Sequence, residues 1–464
     1  MAETSERRRR KQKHVNNGDR ISSLPEPIIH HILSNLNMRD VVQSSILSNT
    51  WRYIWMSSPT LNFRLDEWKH TLSTGPEREN RFIMFMAKVL THGGSSPLEK
   101  FNLSFFPARI NTIHVQSWVI KALARNVRHI DLEVSLDKFL DLPCQLFTLS
   151  VRELRLCCLN GPLIRLPSSI CNAVRVRSME LFNVQFPGGN ERGELILSCP
   201  VLQHLTISSC GLSRLKKLSI FTPLLESLNL DYLYTMKNTS CTVKTSTPAL
   251  KSLKVSARLS VDLPSVHYCM ENLSSLISAY VNTYATGDDL KKARADCLIN
   301  VLSMISNVQA LKVSALFVET FADFPHLLEL LPRLFPNVRH VMLMDVCENI
   351  STFLSILEKL PLTEALVWDK YQLRVARTKK GRDWLAKASF QNIFNCLRTF
   401  EMRNFHGTVA EHKFLEFLFK RALVLEEVII KTFKHFRRNK SLPELRRRLS
   451  DLPRASLSAI IHVS

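Results

Sequence analysis

At 464 residues, with 45% hydrophobic and 22% charged residues, the chain has the composition of a folded protein holding several domains or one long repeat array. Twelve glycines and no G-x-x-x-x-G-K-[ST] or G-x-G-x-x-G string exclude the common nucleotide-binding loops. The formal charge of +21 is uneven: residues 1–13 carry six Lys/Arg against two Glu (6 − 2 = +4), and residues 431–464 carry nine against two acids (9 − 2 = +7). A basic end can contact nucleic acid, serve as a nuclear address or be a solvated arm.

Apolar runs such as Phe82 to Met86 stop far short of the roughly 20 residues of a membrane span, and the basic first residues lack the apolar core of a secretory signal. An intracellular protein, nuclear or cytoplasmic and without a membrane partner, is expected. Eleven scattered cysteines without a C-x-x-C pair suit buried apolar residues better than zinc or disulfides, so no metal and no cofactor is expected.

In chain order, residues 1–18 read as a basic disordered arm and residues 19–63 as a small helical unit. Pro25 and Pro27 suit a first turn. Ile28, Ile29, Ile32, Leu33 and Leu36 then recur at helical spacing as one apolar stripe. Asp40 is placed to cap a second helix holding Val41, Val42 and Ile46, and Leu47, Trp51, Ile54 and Trp55 form a third apolar cluster. Some 45 residues make a marginal core, so part of this apolar surface needs cover from the next domain or from a partner.

From residue 95 the pattern L-x-x-L-x-L recurs: Leu98-Phe101-Leu103, Val127-Ile130-Leu132, Val151-Leu154-Leu156, Val176-Met179-Leu181, Leu202-Leu205-Ile207, Leu225-Leu228-Leu230, Leu250-Leu253-Val255, Val308-Leu311-Val313 and Val338-Val341-Leu343. A period near 25 residues is the mark of leucine-rich repeats, one strand per unit in a solenoid over 95–380. The gap after Leu250 leaves room for a weaker unit at Leu273-Leu276. Residues between the apolar positions face solvent, which gives His129, Asp131, Glu153, Arg155, Glu180, His204 and Lys254 as candidate contacts to a target, with Thr206, Asn229, Asp231, Lys312, His340 and Met342 on the same face. Both charge signs are interspersed. A nucleic-acid surface calls for one basic stripe, so a protein target is preferred and nucleic acid disfavoured.

Over 385–464, Leu397-Phe400-Met402 and Leu425-Val428-Ile430 read as strands, and Phe414 to Leu425 as an amphipathic helix between them, followed from Lys434 by a basic tail. No H-E-x-x-H, G-x-S-x-G or RING-like zinc spacing occurs, so no enzyme activity and no catalytic residue is expected.

Two segments carry a family resemblance. Asp19, Arg20, Ile21, Ser22, Leu24 and Pro25, then Leu47, Ser48, Trp51, Arg52 and Trp55, match the opening and close of the F-box, especially its plant version. Phe405-x-Gly407 and Ala422-x-x-Leu425-Glu426 resemble the FBD domain of plant F-box/FBD/LRR-repeat proteins. The resemblance implies a mixed α and β chain: a three-helix F-box, an irregular leucine-rich-repeat α/β solenoid and an FBD-like capping unit. It also implies a substrate-recognition adaptor of an SCF-type E3 ubiquitin ligase, joined through a Skp-type adaptor to a cullin and a RING subunit. Leu24, Pro25, Ile28, Ile29, Ile32, Leu36, Val41, Val42, Leu47, Trp51 and Trp55 would form the docking core. The alternatives are a basic nuclear nucleic-acid-associated protein and an F-box scaffold outside any ligase.

Overall fold

The computed structural model describes residues 24–49, 51–68, 75–236, 239–259, 266–285, 290–305, 308–345, 349–370, 390, 393–433 and 442–464. The basic arm over 1–18, the resemblance residues Asp19, Arg20, Ile21 and Ser22, and 434–441 of the basic tail lie outside them. The chain forms two compact units, Met1–Pro187 and Gly188–Ser464, which divide within the predicted repeat region.

The first unit begins with helices α1 (Glu26–Leu33) and α2 (Met38–Gln43). The resemblance implies a third helix, over the apolar cluster of Leu47, Trp51, Ile54 and Trp55, and the spacing carries the second helix as far as Ile46. The structure shows short 3₁₀ turns instead, at Ser44–Ile46 and Ile54–Ser57. Serines explain this locally: Ser44 Oγ donates to Val41 O at 2.7 Å, and Ser48 Oγ accepts the Trp51 N–H at 3.3 Å, so side chains compete with helical backbone bonds. Asn37, not Asp40, caps α2. Its side chain accepts the Asp40 N–H at 2.9 Å, and Asp40, three residues in, accepts from the Asn37 amide at 2.7 Å.

Strands β1 (Thr60–Arg64), β2 (Lys100–Ile110), β3 (His129–Leu136), β5 (Glu153–Cys158) and β7 (Ser178–Phe182) then form a parallel ladder in that order. Two-residue strands β4 (Leu140–Asp141), β6 (Ile164–Arg165) and β8 (Val184–Gln185) pair along the return segments. Parallel neighbours require a crossover. Helix α3 (Gly75–His92) makes the one from β1 to β2, α4 (Thr112–Ala124) the next, and the four-residue α5 (Gln145–Thr148) lies between β4 and β5. Asn111 caps α4, which buries Val115, Trp118, Val119, Ala122 and Leu123 on one face at three- and four-residue spacing. Phe63, Phe82, Phe101 and Phe105 fill the space below the first strands, edge to face or tilted at 5.7–6.2 Å between the 63–101 and 82–105 pairs.

The second unit repeats the plan. Strands β10 (His204–Ser208), β12 (Ser227–Leu233), β14 (Ser252–Leu259), β16 (Ser278–Ala285), β17 (Ala310–Ser314), β18 (His340–Met344), β19 (Ala365–Asp369), β20 (Thr399–Phe405), β21 (Glu427–Thr432) and β22 (Ile460–Val463) pair in parallel in that order. A second sheet runs through β9 (Glu194–Leu197), β11 (Lys217–Phe221), β13 (Cys241–Ser246) and β15 (Val266–Glu271). After β16 the return segments become helical, through α6 (Lys291–Met304), α7 (Ala315–Asp323) and α9 (Ile350–Glu358), with the four-residue α8 (Leu331–Leu334) among them. Such a parallel-rich ladder is consistent with a repeat solenoid.

Every residue of the nine L-x-x-L-x-L matches is buried, and their central positions stand directly opposite one another, Leu205↔Leu228↔Leu253 for example. The weak unit is displaced by three residues from its predicted place. It runs Leu276-Ala279-Val281, with Ala279 opposite Leu253, and the small side chain in the central position concealed it. A further rung at Thr363-Leu366-Trp368 was missed because threonine stands in its first position.

Toward the end, α10 (Val409–Arg421) joins β20 to β21, and it stops at Arg421 rather than continuing to Leu425, because Ala422 adopts an extended backbone. The basic tail is not featureless: α11 (Leu442–Ser450) buries Leu445 and Leu449, and β22 extends the sheet. Helix α10 opens with a capping box, in which Thr408 accepts the Glu411 N–H while Glu411 accepts the Thr408 N–H. Glu411 is fully buried and also takes Lys370 Nζ at 2.5 Å and the His406 N–H at 3.1 Å. Burial alone would raise its carboxyl, but Lys370 and the backbone donors hold it below the usual carboxylate value. At the other end of the helix, Arg421 donates to Phe390 O.

Removing one member of a buried ion pair strands the other, which costs about 3–5 kcal/mol, whereas a lost cap costs about 1 kcal/mol. Glu411→Ala is therefore expected to lower the denaturant midpoint far more than Thr408→Ala. Equal shifts in chemical unfolding would contradict the role given to the Lys370 pair.

Candidate functional site

A helix turns 100° per residue, so the apolar stripe read along α1 resolves into two adjacent faces. Ile29 and Leu33 point into the unit, 1% exposed each, with Met38, Val41, Trp51 and Ile54. Pro25, Ile28, Ile32 and Leu36 point outward, and the two isoleucines remain 47% and 42% exposed. Leu47 is exposed in the following turn, and Leu24, Val42 and Trp55 are half-buried. Ile46, at 85%, and Tyr53, at 61%, are large exposed side chains outside the docking core that the resemblance implies. The spacing predicts Ile46 on the helix holding Val41, and only the 3₁₀ geometry turns it out.

Polar contacts fix the pieces. Ser57 Oγ in the second turn lies 3.2 Å from His30 Nε2 on α1 and donates to Glu26 Oε1 at 3.3 Å. Arg39 on α2 lies over the Trp68 ring at 5.2 Å. The outward apolar residues are thus carried on a braced frame while their own side chains stay in water. Ile28 and Ile32, four residues apart, share one face of α1, and large apolar side chains exposed together in that way mark an interaction site.

The residues proposed to meet a target all lie on the open strand faces, and none is buried. In the first unit, Asp131, Arg155 and Glu180 stand side by side on β3, β5 and β7. Arg155 bonds Asp131 at 2.9 Å and reaches Glu180 at 3.6 Å, while His129 contacts Glu153 at 2.7 Å. In the second unit, Thr206, Asn229, Lys254, Tyr280, Lys312 and Met342 occupy one register row. Lys254 lies 3.4 Å from Asp231 and 5.6 Å from the Tyr280 ring centre. His204 and His340 belong to the neighbouring row. Tyr280 was overlooked because it sits in the weak repeat.

Further along that face Glu401 accepts from Arg403 at 2.9 Å and from Lys431 at 2.7 Å. The Arg403 bond is the main reason its carboxyl falls from the ordinary 4.5 to about 2. Among the described residues no three His, Cys, Asp or Glu side chains gather as a metal site. Burial pushes the Cys158, Cys241 and Cys297 thiols up to about 11, which disfavours the nucleophilic thiolate.

Comparison with known proteins defines the class. The F-box domain family matches residues 21–62, and the FBD family matches residues 393–430. The chain therefore carries an F-box domain and an FBD domain; F-box domains in general bind Skp-type adaptors. It is similar over most of its length to plant proteins. An F-box/FBD/LRR-repeat protein of Arabidopsis thaliana is 26% identical over 429 residues, covering 89% of this chain and 88% of the relative. An FBD-associated F-box protein of Arabidopsis thaliana is 27% identical over 447 residues, 93% of each chain. An F-box/LRR-repeat protein of the same plant is 27% identical over 323 residues, 65% of this chain and 60% of the relative.

Two outcomes follow from this geometry. Ile28→Ser and Ile32→Ser, already in water, are expected to shift stability by less than about 0.5 kcal/mol, whereas Ile29→Ser should cost about 2 kcal/mol or more; thermal melts compare them. Glu401 is depressed in the fold, so its stabilisation is full above pH 4.5 and lost as pH falls from there towards about 2. Glu401→Gln should flatten the stability profile in that window, as read by unfolding at stepped pH.

Proposed function

We propose that this chain is the substrate-recognition adaptor of an SCF-type E3 ubiquitin ligase, acting in the nucleus or cytoplasm. The observation that carries the reading is the row of exposed apolar side chains on the matched F-box: Pro25, Ile28, Ile32, Leu36, Ile46, Leu47 and Tyr53. A Skp-type adaptor covers that row and links it to a cullin and a RING subunit. Ile29, Val41 and Trp51 act one layer beneath, holding the frame. The strand ladders form leucine-rich repeats whose open faces hold a protein target, with His129, Asp131, Glu153, Arg155 and Glu180 on one face and His204 and Lys254 on the other as contacts. The chain itself performs no chemistry. It contributes proximity, raising the effective concentration of a target lysine near a ubiquitin thioester borne elsewhere in the complex.

The test is co-expression with a Skp-type adaptor and capture on either partner. Anchors of this kind cost ~1–2 kcal/mol or more each when lost, so Ile32→Asp with Leu47→Asp should weaken capture by about 100-fold. The unmodified pair should withstand moderate salt, unlike a phosphate-bound complex. Undiminished capture of the double variant would refute the docking assignment.

A further inference from the structure

Helix α11 closes on Arg446-Arg447-Arg448-Leu449-Ser450, and Ser450 is its last residue. Ser450 is exposed, and among the described residues its hydroxyl makes no hydrogen bond. Leu445 and Leu449 are buried, so the helix turns its arginines and Ser450 away from the core. The side chains of Arg447 and Arg448 are 86% and 64% exposed and stand three and two residues before the hydroxyl. Their ties are light. Arg448 meets Glu444 at 2.7 Å and Arg447 reaches Asp451 only at 4.0 Å, both in water. The same charge pattern occurs at Lys216-Lys217-Leu218-Ser219. There the serine is 2% exposed within β11, which is paired on both sides, and a modifying enzyme cannot reach it.

A kinase that selects basic substrates reads cations ahead of the hydroxyl with carboxylates in its own groove. It takes the segment extended, so the last turn of α11 must open. That breaks the bond from Asp451 N to Arg447 O at 3.0 Å and lifts Leu449. A nine-residue helix is too short to be stable alone, so this opening is a local event. Once added, a phosphate brings a charge of about −1.5 to −2. Arg446 and Arg447, four and three residues back, adjoin Ser450 on the helix surface. Arg454 is already at hand, with Nη2 donating to Ser450 O at 3.2 Å. Guanidinium groups suit phosphate because they bond it in parallel pairs. These three cations offset Asp451 and the negative end of the helix dipole, which oppose the new charge.

We propose that Ser450 is a phosphorylation site for an arginine-directed serine kinase. Ser450 Oγ attacks the γ-phosphorus of ATP. The Oγ–P bond forms as the bond from phosphorus to the bridging β-phosphate oxygen breaks, ADP leaves, and the hydroxyl proton passes to the kinase's base. The modification lowers the positive excess of residues 431–464, +7 by sequence, by about 1.5 to 2.

Incubation of the folded full chain with a purified arginine-directed serine kinase and magnesium ATP, followed by peptide mass mapping, tests this. Phosphate should appear on Ser450 and not on Ser219, and Ser450→Ala should remove it. Arg447→Gln with Arg448→Gln, both at the surface, should leave the melt unchanged and slow labelling by about tenfold or more. The proposal falls if the folded chain takes no phosphate at Ser450, or takes it there only after heat unfolding. It falls equally if the glutamine variant is labelled as fast as the parent, since the arginines would then not direct the enzyme.

Discussion

The structure depends on one constraint: at every rung the apolar residues of a strand must lie directly above those of the strand before. In the second unit this produces an unbroken register from Leu205 through Leu228, Leu253, Ala279, Leu311, Val341, Leu366, Phe400 and Val428 to Ile461. No single rung can bury its inner face alone, so stability arises between neighbours. The return segments are freer. They are strands up to β15 and largely helices afterwards, yet the ladder passes through the change without loss of register. Rim pairs such as Lys251–Glu226 and Arg398–Glu426 recur from rung to rung, but they are exposed and add little.

This explains what the sequence reveals and what it conceals. Buried strand positions demand large aliphatic residues at fixed offsets, so nine rungs are legible from pattern alone. Rungs bearing Ala279 or Thr363 are hidden because the ladder tolerates a smaller or hydroxylated side chain once its neighbours hold the register. The helices are less legible near their ends. Asn37 and Asp40 are both good caps three residues apart, and only the backbone shows which one precedes the first turn. The serines after α2 likewise replace an expected helix with tighter turns, and that decides which side Ile46 faces.

The F-box shows why a list of apolar residues is not a list of contacts. Ile28 and Ile29 are neighbours in sequence and equal in hydrophobicity, yet one is in water and the other in the core. Hydrophobic periodicity marks both; the 100° between them separates binding from support. The strand faces behave differently. There the alternation of two assigns inside and outside cleanly, but charged residues such as Asp131 and Arg155 satisfy one another, and their identity alone does not mark them for a target.

Helix α10 has a consequence for how such chains diverge. Near its start Glu411 grips Lys370, and at its finish Arg421 grips the carbonyl of Phe390. A helix held at both ends cannot lengthen or shorten by one turn, a shift of about 5.4 Å, without giving up one of the two grips. Its length is therefore the part of this unit least free to vary as such chains diverge.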